Sequence, residues 1–169
     1  MKRFIIIVLL VVSTIGGVFA QSLVGKWDMY VSALNSTGLT SFTTEFVQSG
    51  IVKMTVVYTF TESGISMEFP IVMNGKYEVA GKALNREIIP ESIKGSWDLI
   101  CPTCDKNRLQ EARKAAGSNM DQVLKEVIKT VKSEFTSRGM YQQILQLNES
   151  TLVIQVPGGS LEVYHRITE

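Results

Sequence analysis

Near its N-terminus the chain reads Leu23-Val24-Gly25-Lys26-Trp27-Asp28-Met29-Tyr30-Val31. Period-two alternation places Gly25, Trp27, Met29 and Val31 on one face and Lys26, Asp28, Tyr30 and Ser32 on the other, as in a strand with one face in a core. A glycine two residues before a tryptophan lets another backbone come near while the indole fills a narrow space. At the start of an antiparallel chain, that pair closes the floor of a small barrel. The last strand-like stretch, Leu161-Glu162-Val163-Tyr164-His165-Arg166-Ile167, supplies a partner. With the last strand closing beside the first, Arg166 lies over the Trp27 ring.

Upstream of this stretch the chain has a different character. Met1-Lys2-Arg3 gives a positive start, residues 4–12 are a nearly unbroken apolar run, and Val18-Phe19-Ala20 places compact residues before Gln21. This is the pattern of a secretory signal over residues 1–20, cleaved before Gln21, and the apolar run is shorter than the ~20 residues a membrane span needs. No cysteine lies at the cleavage point itself, where Gln21 stands. Of 169 residues, 21–169 then form one domain, with 15 basic against 16 acidic side chains once Lys2 and Arg3 are removed. Near-neutral charge of mixed sign argues against a nucleic-acid partner. No later apolar run is long enough to span a bilayer.

Downstream, the alternation continues. Residues 35–38 form a turn, residues 41–47 a strand, and Ser49-Gly50 a second turn. Over residues 51–61, Val52, Met54, Val56, Tyr58 and Phe60 share one face. The return strand puts Ile65, Met67, Phe69 and Ile71 opposite Ser66 and Glu68, with Pro70 on the polar face marking an edge or bulge. Asn74-Gly75 reads as a turn, followed by short strands at 76–80 and 82–89 split at Gly81. A strand over 93–100 carries a second glycine-x-tryptophan, Gly95-Ser96-Trp97. The period then changes. Asp105 caps a short helix ending at Gly117-Ser118, and Ser118 with Asp121 resembles a capping box for a second. There Met120, Val123, Leu124, Val127, Ile128, Val131 and Phe135 fall at helical spacing. Strands at 140–147, 151–156 and 161–168 finish the chain. These periodicities predict a mainly β fold: an antiparallel up-and-down barrel of about eight to ten short strands, with a two-helix insertion at residues 101–139 between late strands. A sandwich is the alternative that periodicity leaves open.

The order of three motifs resembles the lipocalin-like, or calycin, barrels found in secreted bacterial proteins. They are Gly25-Lys26-Trp27; the stretch Asn74-Gly75-Lys76-Tyr77-Glu78-Val79-Ala80-Gly81-Lys82-Ala83-Leu84; and the ending of Ile144 to Leu147, Thr151-Leu152-Val153-Ile154, then Tyr164-His165-Arg166. The likeness covers the chain after the signal except residues 102–138. It implies a small barrel with an apolar interior that carries or senses a small lipophilic molecule, with catalysis uncommon. The helical insertion departs from the common pattern.

Met29, Met54, Val56, Tyr58, Phe60, Met67, Phe69 and Tyr77 are the candidate lining of such an interior. Met and aromatic side chains suit an adaptable lipophilic pocket, and the Tyr58 and Tyr77 hydroxyls could orient a polar end. The same residues equally suit a packed core. Gly25, Trp27 and Arg166 are structural candidates. Cys101-Pro102-Thr103-Cys104 invites a short-loop disulfide. A strand, then Cys-x-x-Cys, then a helix is also the local setting of a thiol-disulfide redox pair, but no alternating βαβ pattern surrounds it. Two thiols and the single His165 make at most three metal ligands, where a closed zinc site takes four. No catalytic residue, metal or cofactor is assigned: no Gly-x-Ser-x-Gly, phosphate-cradling glycine loop or His-Glu-x-x-His occurs. The expected function is a secreted, periplasmic or extracellular barrel binding a small lipophilic ligand non-covalently. The alternatives are a thiol-disulfide protein using Cys101 and Cys104, or a module docking a protein partner through the insertion. The apolar helix stripe must be buried. It either roofs the barrel mouth as a lid or supports the outer wall.

Overall fold

The computed structural model describes residues 22–29, 38–62, 64–136 and 140–168. The signal at 1–20, the strand positions Tyr30 and Val31, and most of the first turn lie outside the described residues. The strands are β1 (Gly25–Met29), β2 (Leu39–Val47), β3 (Ile51–Glu62), β4 (Ile65–Ala80), β5 (Ala83–Ile88), β6 (Lys94–Gly95), β7 (Asp98–Ile100), β8 (Met140–Leu147), β9 (Thr151–Gln155) and β10 (Leu161–Arg166). A long helix, α1 (Lys106–Thr136), joins β7 to β8.

Eight strands close into an antiparallel barrel in the order β1-β2-β3-β4-β5-β8-β9-β10, with β10 returning to pair β1. Period-two alternation explains the core directly. Val52, Met54 and Val56 of β3 and Phe69, Ile71 and Met73 of β4 are all buried, while Lys53, Val72 and Asn74 between them face outward. Trp27, Phe46, Leu84, Ile144, Leu152, Ile154 and Tyr164 complete the interior, each almost wholly removed from water.

The two ends of the chain make the floor. Trp27 pairs in register with Arg166, whose guanidinium carbon lies 4.2 Å from the centre of the indole. The Arg166 Nη1 donates to the Val24 carbonyl at 2.7 Å, its Nη2 donates to the Ser22 carbonyl, and the indole Nε1 donates to the Leu23 carbonyl at 2.8 Å. Gly25 has φ +135°, and a Cβ there would sit 2.4 Å from Arg166 Nη1. Glycine therefore serves both the backbone angle and the space the arginine needs.

Three expectations are corrected. First, Asn74-Gly75 is not a turn: β4 is one 16-residue strand running through it. A Cβ on Gly75 would lie 2.3 Å from the Glu87 carbonyl oxygen, so the glycine marks a close approach of β5. Second, the strand over 93–100 is broken into β6 and β7, which pair successive parts of β4. Pro70 falls between those two pairings, and its carbonyl accepts from the Ser96 N–H at 3.2 Å. Third, the insertion holds one helix and not two. Residues on either side of Gly117 are tied to the same segment. Trp97 Nε1 donates to Asp121 at 2.7 Å, and Arg113 pairs with Asp98 and lies over the Trp97 ring. A mid-helix glycine costs only about 1 kcal/mol relative to alanine, which these contacts offset.

The helix lies across one end of the barrel. Val131 is fully buried, and Leu124, Val127, Ile128 and Phe135 pack against the core. Phe135 stacks on Phe42, an interior residue of β2, at 6.2 Å between ring centres. Gly95 leaves room for the helix: a Cβ there would meet Ile71 of β4 at 2.5 Å and Leu124 at 2.9 Å.

Candidate functional site: a cavity under the helix

A cavity of about 660 Å³ opens between α1 and the rim of the barrel. Its floor and far wall are Leu39 at the start of β2 and Tyr58 and Phe60 near the end of β3. Its near wall is α1, which presents two parallel rows because residues four apart lie on one ridge. One row is apolar: Val123, Val127 and Val131. The other is polar: Gln122, Glu126, Thr130 and Glu134. The long β3–β4 hairpin explains why space remains here. Towards its tip Phe60 is 41% exposed, whereas Met54 and Val56 deeper in the barrel are buried. The phenol of Tyr58 has its pKa raised, chiefly by burial and further by the charge of Glu134.

The structure separates the eight candidate lining residues. Tyr58 and Phe60 line the cavity. Met54, Val56 and Phe69 are closed within the packed interior. Tyr77 is buried near the floor, edge-on to Phe46, and donates its hydroxyl to the Val47 carbonyl at 2.9 Å. Met67 is partly buried on β4, opposite Phe60 and Leu99, and Met29 is partly buried at the end of β1.

The interior also holds a polar group that alternation could have exposed but whose role was not read. Leu84, Arg86 and Ile88 share the inner face of β5, so a guanidinium points into the core. Arg86 Nη2 lies 3.3 Å from Glu162 Oε2, and Tyr164 donates its hydroxyl to the same oxygen at 2.7 Å. Burial would lower the Arg86 pKa, but Tyr164 and Glu162 outweigh it and the net shift is upward. Tyr164 is also raised, first by burial and then by Glu162, against the opposing pull of Arg86. Arg86 Nε and Thr44 Oγ1 are buried without a hydrogen-bond partner.

The sign of the tyrosine shifts sets a pH dependence. Tyr58, Tyr77 and Tyr164 all hold their protons more tightly when folded than the ordinary phenol near pH 10. Their contribution is therefore complete below about pH 10 and is lost as pH rises through the folded values, because the unfolded chain ionises first. Urea midpoints are expected to fall above about pH 10, and Tyr164→Phe should flatten that fall. A Tyr164→Phe chain that loses stability as steeply as the parent would assign the alkaline loss elsewhere.

Cys101 and Cys104 are joined in a disulfide just before α1. The helix is capped by Asp105, whose Oδ1 accepts the Arg108 N–H at 2.8 Å. A carboxylate at this helix start works against the lowered thiol pKa that a redox pair needs. His165 is exposed on the outer face of β10, opposite to Tyr164 and Arg166. Among the described residues no cluster of three or more His, Cys, Asp or Glu could hold a metal ion, and no helix is long and apolar enough to cross a membrane. The chain matches no protein-family model and no curated protein.

Proposed function

We propose that the protein binds a small lipophilic molecule non-covalently in the cavity between α1 and the barrel rim. The observation that carries this reading is the cavity itself: about 660 Å³, with Val123, Val127, Val131, Leu39 and Phe60 as walls and the Tyr58 hydroxyl as a polar group. Its volume lies within the range of about 300–1,000 Å³ usual for small-molecule sites, and an apolar wall is joined by one polar helix row, Gln122, Glu126, Thr130 and Glu134. The site differs in place from a hollow barrel interior, because that interior is filled by large side chains. The reading includes export: residues 1–20 act as a secretory signal, and the Cys101–Cys104 disulfide is compatible with an oxidising compartment. The resemblance to lipocalin-like barrels points to the same class of function, with the helix as the added wall.

The test is binding of Nile red, a neutral dye whose emission reports an apolar setting. The parent is expected to bind it with a blue shift. Val127→Trp, which fills the cavity from the helix side, should weaken binding by about tenfold or more while leaving the far-ultraviolet dichroism β-like. If the dye binds Val127→Trp as tightly as the parent, the cavity is not the site.

A further inference from the structure

Building on the cavity's role as a lipophilic site, we propose that its ligand is a lipophilic cation, such as an amine carrying an apolar body, and not a fatty carboxylate. The charged side chains lining the cavity are Glu126 and Glu134, and both are acidic. They are eight residues apart on one helix ridge, so they flank the apolar row about two turns, or roughly 12 Å, apart. Glu126 is partly offset by Lys129, whose Nζ lies 3.9 Å from Glu126 Oε2, with both groups well exposed. Such an exposed pair contributes little and is screened by salt. Glu134 lines the cavity with Tyr58, whose pKa is raised chiefly by burial and further by the Glu134 charge. The facing wall adds the rings of Tyr58 and Phe60, whose negative π faces also favour a cation. An anion entering here would meet two exposed carboxylates along the helix edge, while an ammonium group could remain beside them with its chain against Val127. The polarity of the site thus selects among ligands of the same apolar body.

Decylamine, decanol and decanoate separate charge from apolar area, since the chain is the same in all three. Each is titrated against parent protein preloaded with Nile red at pH 7, where the amine is protonated and the acid ionised. Displacement is expected in the order amine, alcohol, carboxylate, with about tenfold or more between the first and the last. Glu126→Gln with Glu134→Gln should collapse the amine-to-carboxylate ratio, each compound referred to decanol on the same variant, to within about threefold. Equal displacement by the three compounds, with Nile red still excluded by Val127→Trp, overturns the cation preference and leaves the lipophilic site standing. A preference for the amine that survives the double Gln variant also overturns it, because the carboxylates would not be its source. If Nile red binding is indifferent to Val127→Trp, the site reading itself fails, and that outcome is distinct from the other two.

Discussion

Trp27→Ala is expected to lower the unfolding free energy by about 3–5 kcal/mol, a large share of the 5–15 kcal/mol that holds a typical domain. The indole is fully buried at the floor of the barrel, between β2 and β10. Its loss leaves a void in the core, and it strands the Leu23 carbonyl that accepts the indole N–H. The floor has little freedom to collapse, because Arg166 is fixed from above the ring by two backbone carbonyls. Arg166→Ala should cost less, about 1–2 kcal/mol, since it removes the cation over the ring and frees carbonyls close to solvent. Gly25→Ala should fall between them, as the added methyl meets the guanidinium and the backbone keeps a φ that side chains disfavour. Urea melts of the three variants check the ranking. A Trp27→Ala chain as stable as the parent would remove the floor from its organising place in the fold.

The floor was legible in the sequence because it depends on alternation and on two chain ends that must meet if the sheet closes. Strand positions in β3 and β9 were legible for the same reason: an inward apolar residue at every second position has one physical reading. The failures share a different cause. Gly75 has the local chemistry of a turn, and what overrides it is the approach of Glu87 from a strand twelve residues later. Gly117 has the chemistry of a helix end, and what overrides it is Trp97 and Asp98, which hold the helix on both sides of the glycine. In both cases a tertiary neighbour decides what a local preference leaves undetermined. The cavity was legible only as a class of side chain. Tyr58 and Phe60 read like Met54 and Val56, since all four lie on one face of β3. The structure separates them by depth, which alternation does not encode. Glu126 and Glu134 stay exposed on the helix, and only the placement of the apolar row beside them against the barrel brings them to the cavity.

Glu162→Ala should be the second most damaging change, and for a reason opposite to cavity formation. Arg86 is 2% exposed and Glu162 27% exposed at the side chain, so the pair is buried at one partner and half-open at the other. Removing the carboxylate leaves a guanidinium in the core without a counter-charge and the Tyr164 hydroxyl without its acceptor. Breaking a buried pair from one side typically costs about 3–5 kcal/mol, and the partial exposure of Glu162 places the expectation at the low end, about 3 kcal/mol. The same principle makes the double change milder than the single one. Arg86→Met with Glu162→Gln removes the charge that needed compensation, fills the space beside Met54 with a thioether, and keeps an amide oxygen to accept from Tyr164. It is expected to recover about half or more of the loss. Denaturant melts of the parent, Glu162→Ala, Arg86→Met and the double variant form a cycle that measures the coupling. If the double variant is less stable than Glu162→Ala, the pair contributes net stability beyond compensating its own burial, and the barrel depends on the ion pair and not only on the packing around it.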